Sequence, residues 1–307
     1  MMTLKGKPSI FFVLLFLLVS MFGCEKPVSN ESNNEYVKKI EQWKHQRLKK
    51  LKSPDSWLSL AGLYWLEEGE NTFGTDSEND FVVYKEGIPG FIGQFFLKNG
   101  IVSFKAGQDV EVLHETQVIK EIPMENDSRG HPTVLKLKSL SWHIIKRGEK
   151  LGVRLKDARH PRFRQLNKID TFPVDRSWRV RARLERFEKS RMMEIPTVLG
   201  TIEKHSSPGI LVFQIDEKTF RLVPTGDEGE LFVIFGDLTN TRETYGGGRF
   251  LVVEKPDETG HTWVDFNLAY NPPCVFSHYA TCSLPPEQNQ LPIRVAAGEK
   301  MVQGFGH

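Results

Sequence analysis

Short stretches in which apolar and polar residues alternate run through most of the chain after Trp57. The clearest follows Trp178, where Val180, Ala182 and Leu184 are apolar and the residues between them are arginines. A period of two places successive side chains on opposite faces of a strand, so this run predicts a strand with one buried and one charged face. Further strands are predicted at 81–84, 110–113, 134–137, 198–202, 210–215, 220–223, 231–235, 250–253 and 262–266.

Two hairpins follow from turn residues between such stretches. Asn99-Gly100 separates 95–98 from 101–104, and this pair supplies the positive φ angles of a two-residue turn. Residues 147–150 separate 143–146 from 151–155 in the same way. Few helical patterns lie between the strands, which disfavours a parallel sheet with crossover helices. We therefore expect a mostly β fold of antiparallel, barrel-like sheets.

One amphipathic helix is predicted near the start of the chain. Tyr36, Ile40 and Trp43 recur at helical spacing, with Lys and Glu on the other face. This helix should end before Pro54, because proline lacks the amide donor that a helix needs.

The first 24 residues are typical of a lipoprotein signal peptide. Lys5 and Lys7 precede an unbroken apolar run at 10–19, which is too short to span a bilayer comfortably. Gly23 then precedes Cys24, the residue that would be lipidated, for example with palmitate. Met21 and Phe22 depart from the usual lipidation motif, so an ordinary secretory signal or an anchor helix is the alternative. The polar residues 25–33 suit a flexible tether.

Length and charge limit the remaining possibilities. The net charge of +2 gives no electrostatic footprint for nucleic acid. The chain after the tether is long enough for two β subdomains, and residues 172–175 resemble a connector between them. We expect subdomains at 34–175 and 176–307, in an envelope protein whose partner is the membrane that holds its anchor.

The segment from Asp265 to Glu299 combines repeated prolines, amides, two cysteines and many apolar residues. Proline fixes φ and excludes helix, while the apolar residues distinguish the segment from a linker. We expect an ordered loop held against the core, either as a packed crossover or as the roof of a functional pocket.

Several ordered motifs, this segment among them, resemble the bacterial and archaeal family called domain of unknown function 1684. The resemblance covers most of the chain after residue 50 and implies no known activity or cofactor. The motifs are Ser56-Trp57-Leu58 through Phe73-Gly74, Lys146-Arg147-Gly148, Gly152 with Arg154 and Asp157, Phe172-Pro173, Trp178-Arg179, Pro196 with Val198-Leu199-Gly200, Phe235-Gly236-Asp237, Thr244-Tyr245-Gly246, Gly248-Arg249-Phe250-Leu251 and Asp265 to Glu299.

The cysteines other than Cys24 are Cys274 and Cys282. Export would place them where disulfides persist, so they are disulfide candidates. Buried free thiols, a catalytic thiol and a metal site are the alternatives. With His278 the cysteines are spaced four apart, but no second cysteine pair accompanies them, so no metal site is predicted.

Arginines give the other candidate chemistry. Arg147, Arg154 and Asp157 lie in one predicted hairpin and the loop that follows it, and Arg249 follows a run of three glycines. Arginine forks suit carboxylate or phosphate groups, although an ion-pair network would also account for them.

We expect a cleft between the β halves that binds a small polar or anionic ligand, with no cofactor indicated. The alternative is a hydrolase that uses Asp237 or Asp265 as a base, so the sequence leaves open whether the protein is an enzyme. The candidate ligand-binding residues are Arg147, Arg154, Asp157, Arg249, Asp265, Asn267, Tyr270 and Asn271.

Overall fold

The structure, a computed structural model, describes residues 31–226 and 229–305. The predicted signal peptide, the lipidation site at Cys24 and most of the predicted tether lie outside these residues. Among the residues that the structure describes, no helix is long and apolar enough to cross a membrane.

Helix α1 (Asn33–Leu51) begins at the last residue of the predicted tether and ends before Pro54, as the pattern predicts. Its buried side chains are Tyr36, Ile40 and Leu51. A second, one-turn helix, α2 (Arg162–Gln165), follows the first group of strands.

Strands make up most of the remaining structure. In chain order they are β1 (Leu60–Trp65), β2 (Gly69–Gly74), β3 (Phe81–Val82), β4 (Gly93–Lys98), β5 (Ile101–Ala106), β6 (Val112–His114), β7 (Gln117–Ile119), β8 (Glu121–Met124), β9 (Leu135–Leu137), β10 (Leu140–Arg147), β11 (Lys150–Asp157), β12 (Arg179–Pro196), β13 (Ile202–Ile215), β14 (Lys218–Leu222), β15 (Leu231–Phe235), β16 (Arg249–Val253) and β17 (His261–Asp265).

Strands β1 to β11 form the first half of the protein. One sheet has the order β1-β11-β10-β9-β6-β7 and the other has the order β3-β2-β4-β5-β8. Both sheets contribute to one aromatic-rich core, in which the ring of Trp142 lies 5.3 Å from that of Phe73 and 5.5 Å from that of Phe104. The Asn99-Gly100 turn has φ angles of 51° and 77°, which is why this hairpin closes in two residues.

Strands β12 to β17 form the second half. A four-stranded sheet, β14-β13-β12-β17, and the pair β15-β16 enclose a second core. Val180, Ala182 and Leu184 face this core, as their alternation predicts.

The fold class predicted from the sequence is confirmed, because the protein is mostly β with antiparallel sheets and a half-barrel. The pair β2–β3 is a parallel exception.

The Asp265–Glu299 segment packs against the body through three single-turn 3₁₀ helices. Phe266, Leu291 and Val295 belong to the second core, and Cys274 and Phe276 join smaller buried clusters. The segment therefore lies where it can contact both halves.

Candidate functional site

A cavity of about 850 Å³ lies between the two halves and is the candidate functional site. The first half contributes the turn at 127–128, the end of β10 and the middle of β11. The second half contributes the start of β13, one residue each from β15 and β16, and the Asp265–Glu299 segment. The lining residues used below are Trp57, Asp127, Lys146, Arg147, Arg154, Ile202, Glu203, Lys204, Phe232, Phe250, Pro273, Thr281 and Cys282.

The alternation of β11 brings Arg154 to this cavity. Its neighbours Val153 and Leu155 face the first core, so Arg154 points to the opposite side of the sheet. It is paired across the sheet with His143 on β10 and with Leu63 on β1. Arg147, four residues after His143 on β10, lies on the same side.

Arg154 is a buried cation that makes no direct ion pair with a described residue. Its side chain is 5% exposed, and its Nη2 donates to Oγ1 of Thr281 at 3.0 Å. Its Nε is buried and has no hydrogen-bond partner. Within the described part of the chain, no carboxylate forms an ion pair with it. Burial, reinforced by the charge of Arg147 and partly offset by that of Asp127, lowers the pKa of Arg154 to about 10, so it stays charged at neutral pH.

Arg147 is, by contrast, neutralised. Its Nη1 donates to Oδ2 of Asp127 at 2.9 Å, and its Nε lies 3.8 Å from Oε1 of Glu203. The same Nε donates to Oγ1 of Thr281 at 3.1 Å. Asp127 and Glu203 together match the charges of the two arginines, but both carboxylates lie beside Arg147 and, among the described residues, neither forms an ion pair with Arg154.

The hydroxyl of Thr281 joins the two arginines. Its oxygen accepts one hydrogen bond from Arg147 and one from Arg154, which uses both lone pairs. Its own proton is then left to donate. Thr281 and the guanidinium of Arg154 together form a group of donors suited to oxyanions.

The backbone around Thr281 is held on two sides. A disulfide joins Cys274 to Cys282, with Cα atoms 6.0 Å apart. The carbonyl of Cys282 accepts a hydrogen bond from the amide of Val198 at 2.9 Å, which attaches the segment to the end of β12. Thr281 is thus presented by a loop that is fixed in place.

His143 adds a titratable group next to Arg154. Burial, with the positive charges of Arg154 and Lys156, lowers its pKa to about 4. The imidazole is neutral at pH 7 and does not add to the charge of the site.

The rest of the cavity is apolar on one side and basic at its mouth. Trp57, Ile202, Phe232, Phe250 and Pro273 supply the apolar surface. Lys146 and Lys204 lie at the mouth, and each is also near a carboxylate of its own, Glu149 at 4.0 Å and Glu194 at 3.9 Å.

Arg249, expected to converge with Arg147 and Arg154, lies outside the cavity. Its guanidinium is fully buried and donates to Oδ2 of Asp237 at 2.7 Å and to the carbonyls of Val295 and Ala297. On β16 it faces the second core with Leu251, whereas Phe250 lines the cavity. Arg249 therefore lies on the face of β16 opposite to the one that lines the cavity.

Asp157 is also on the far side of its strand. It is an odd number of residues from Arg154 and therefore faces away from the cavity. Its Oδ2 accepts from Nζ of Lys85 at 2.6 Å and its Oδ1 from the amide of Arg159 at 2.9 Å. Burial acts to raise the pKa of Asp157, but these hydrogen bonds outweigh it and the net shift is downward.

Asp265 and Asn267 hold the start of α1 instead of roofing the cavity. Both carboxylate oxygens of Asp265 lie 2.9 Å from the hydroxyl of Tyr36, and Nδ2 of Asn267 donates to that hydroxyl at 2.9 Å. Burial raises the pKa of Asp265.

Tyr270 and Asn271 hold the middle of the same helix. The guanidinium of Arg47 lies 4.5 Å from the ring of Tyr270 and donates to the carbonyl of Asn271 at 3.0 Å. The amide of Asn271 donates to Oε2 of Glu299 at 2.7 Å. These two residues, like Asp265 and Asn267, are absent from the cavity lining.

The residues that sequence reasoning missed are Thr281, Asp127 and Glu203. One feature of the sequence could have pointed to Thr281, which directly precedes Cys282 in the proline-rich segment. Nothing in the sequence relates Asp127 or Glu203 to Arg147, because the three come from separate turns and strands. Among the described residues, no three His, Cys, Asp or Glu side chains are grouped as metal ligands.

Comparison with known proteins places this chain beside others of unknown function. The family described as "Protein of unknown function (DUF1684)" matches residues 164–300. An uncharacterised protein of Haloarcula marismortui, determined in solution by NMR, is 30% identical. The match covers 47% of this chain and 83% of that one, with a TM-score of 0.40. No curated protein matches. Through residues 164–300, the chain belongs to the DUF1684 family of proteins of unknown function.

Proposed function

We propose that this is an envelope lipoprotein, anchored at Cys24, that binds a small anionic ligand in the cavity between its β halves. Arg154 contacts the anionic group of the ligand. The observation that carries the proposal is the buried guanidinium of Arg154, which lines the cavity, forms no ion pair with a carboxylate of the described residues and has an unpartnered Nε.

A buried charge without a partner is costly. The effective penalty for burying one ion is several kcal/mol, and proteins normally offset it with an opposite charge. This protein does so for another buried arginine, since Arg249 is paired with Asp237 at 2.7 Å. An anion bound beside Arg154 would supply the missing partner.

The donors select the kind of anion. Arg154 offers N–H groups and Thr281 an O–H group, so the ligand must present two or more oxygen acceptors close together. A carboxylate or a phosphate group has this geometry. The cavity volume and the apolar side formed by Phe232, Phe250 and Trp57 leave room for a larger, partly apolar body.

The membrane anchor is supported by the first residues alone. Lys5 and Lys7, the apolar run 10–19 and Gly23 before Cys24 form the order that a lipoprotein signal requires. Two or three acyl chains make such an anchor stable, because each buried methylene contributes roughly 0.8 kcal/mol.

The hydrolase alternative has less support. Asp237 is engaged with Arg249, Asp265 with Tyr36, and neither lines the cavity. The carboxylates that do line it, Asp127 and Glu203, both lie beside Arg147.

Binding is tested by calorimetry with inorganic phosphate and succinate, and by native mass spectrometry of protein purified from its own envelope. Arg154→Gln should weaken anion binding by about 10- to 100-fold, since a hydrogen bond to a charged group contributes roughly 1.5–3 kcal/mol. Arg164→Gln, which removes an exposed arginine that does not line the cavity, is the control and should bind as the wild type does. Equal affinities for Arg154→Gln and wild type would remove the proposed site.

The anchor is tested separately. Cells that express the full chain are fed an alkyne analogue of palmitate, and the purified protein is assayed for label. Label that is present in the wild type and missing in Cys24→Ala supports the anchor, whereas an unlabelled wild type rejects it.

A further inference from the structure

The outer face of the sheet β14-β13-β12-β17 carries a group of arginines away from the cavity. On β12, Val180, Ala182 and Leu184 face the second core, which leaves Arg181 and Arg183 on the outside. On β14, Phe220 and Leu222 face the same core, so Arg221 is also outside. Arg183 and Arg221 are both register partners of Val212, one from each side.

These three arginines are exposed and unneutralised. Within the described ranges, none of them forms an ion pair with a carboxylate. A groove of about 510 Å³ runs between the strands here, and Arg181, Arg183, Gln214, Thr219 and His261 line it. The acid Glu185 occupies the next outward position on β12 and does not line the groove.

An exposed tryptophan lies beside the arginines. Trp263 is 39% exposed and is the register partner of Arg181 on β17. The guanidinium of Arg179 lies 4.4 Å from the centre of its ring. Tryptophan with cationic neighbours is typical of surfaces at the headgroup level of a membrane, where one part of the indole is apolar and the other is polar.

This face adjoins the point where the predicted tether joins the fold. On the same face, the register pair next to Arg181–Trp263 is Arg179–Asp265. Tyr36 of α1 lies over this pair, and its hydroxyl donates to Asp265 at 2.9 Å. Tyr36 lies three residues after Asn33, where α1 begins. Asn33 is nine positions after Cys24, and a chain of this length can span at most about 30 Å.

We propose that this outer face, defined by Arg181, Arg183, Arg221 and Trp263, rests on the anionic phospholipid headgroups of the membrane that holds the anchor. The phosphate groups lie against the three arginines and in the groove, and the indole of Trp263 reaches the base of the headgroups. The proposal uses the anchor of the proposed function and does not depend on ligand binding in the cavity. Each arginine near an anionic surface should strengthen attachment about fivefold.

The test uses the full protein, purified from bacterial membranes and reconstituted into vesicles with brominated acyl chains. One set of vesicles is phosphatidylcholine alone, and the other also contains phosphatidylglycerol. The measured quantity is the quenching of tryptophan fluorescence by the brominated chains. The part of this quenching that is lost in Trp263→Phe belongs to Trp263 and not to the other tryptophans. Two triple variants are compared. Arg181→Gln/Arg183→Gln/Arg221→Gln removes the patch, and Lys105→Gln/Lys120→Gln/Lys136→Gln removes three exposed lysines of the first half.

Trp263 should be quenched in the vesicles that contain phosphatidylglycerol, less so in phosphatidylcholine alone, and less at high salt. The arginine triple should lose this quenching while the lysine triple keeps it. Equal quenching in both vesicle types, or a wild-type signal from the arginine triple, would overturn the proposal. The face would then not bind anionic lipid, and a different polyanion would be the ligand to test. Incorporation of the palmitate analogue at Cys24 reports on the anchor separately, so a failure of the anchor and a failure of this face give different results.

Discussion

Arg154 and Thr281 are 127 residues apart in the chain, and Nη2 of the arginine donates to Oγ1 of the threonine at 3.0 Å. The arginine belongs to a strand of the first half and the threonine to the segment that follows the second half. Both residues line the cavity, and Nε of Arg154 is left without a partner. If Arg154 serves ligand binding and not folding, replacing it should change the free energy of unfolding of the ligand-free protein very little.

Arg154→Gln should leave the free energy of unfolding of the ligand-free protein within about 1 kcal/mol of the wild type. The variant loses one hydrogen bond, which contributes about 1 kcal/mol, and it also loses a buried charge that is costly to desolvate. Urea unfolding in an anion-poor buffer measures the difference. A loss of several kcal/mol would mean that Arg154 serves the fold.

Arg249→Gln should have the opposite result and lower the free energy of unfolding by about 3–5 kcal/mol. The substitution leaves the carboxylate of Asp237 buried without its partner at 2.7 Å, and breaking such a pair is strongly destabilising. The measurement is the same urea titration. A wild-type midpoint for this variant would show that Asp237 finds other compensation.

The sequence predicts strand faces better than it predicts which surfaces meet. The alternation on β10 and β11 places His143, Arg147 and Arg154 on one side, and the same rule excludes Asp157. The rule cannot say that this side is covered by Thr281, because loop contacts depend on the packing of both halves.

The Asp265–Glu299 segment shows the same limit. Its prolines and apolar residues predict an ordered, packed loop, and its apolar side chains are buried in the structure. Its polar groups were expected over the cavity, but Asp265, Asn267 and Asn271 instead bond to α1 and to the end of the chain. A buried amide or carboxylate has the same signature in sequence whether it binds a ligand or a neighbouring backbone group.

His143 should make the protein less stable as the pH falls from about 6.5 toward 4. Its folded pKa is about 4, below the ordinary 6.5, because burial and the charges of Arg154 and Lys156 disfavour the protonated ring. Below pH 6.5 the unfolded chain gains a proton here that the folded chain does not, so the contribution is fully present above pH 6.5 and is lost below it. The loss amounts to roughly 3 kcal/mol.

Urea unfolding across this pH range measures the effect. As the pH falls, the free energy of unfolding of His143→Gln should decline less steeply than that of the wild type. His131→Gln, which removes an exposed histidine, should decline as the wild type does. Parallel curves for His143→Gln and wild type would contradict the lowered pKa.

The Cys274–Cys282 disulfide should stabilise the fold and hold Thr281 in place. Replacing both cysteines by serine should lower the free energy of unfolding by roughly 2–3 kcal/mol, because the bond closes a short loop in the unfolded chain. Anion binding should weaken too, since Thr281 directly precedes Cys282. Unfolding of the wild type with and without a reducing agent gives the matched comparison. Identical midpoints in the two conditions would reject the stabilising role.

Asn271→Ala should lower the free energy of unfolding by about 1–3 kcal/mol. The side chain is fully buried and its Nδ2 donates to the carbonyl of Lys300 at 2.7 Å, so the variant leaves this partly buried carbonyl without its donor. Asn289→Ala should cost more, because that amide makes three bonds, to both backbone groups of Val223 and to the carbonyl of Ile234. Gln117→Ala removes an exposed amide and should have little effect. Thermal and urea unfolding of the three variants would give this order, and an Asn271→Ala midpoint equal to that of Gln117→Ala would show that the amide does not hold the end of the chain in place.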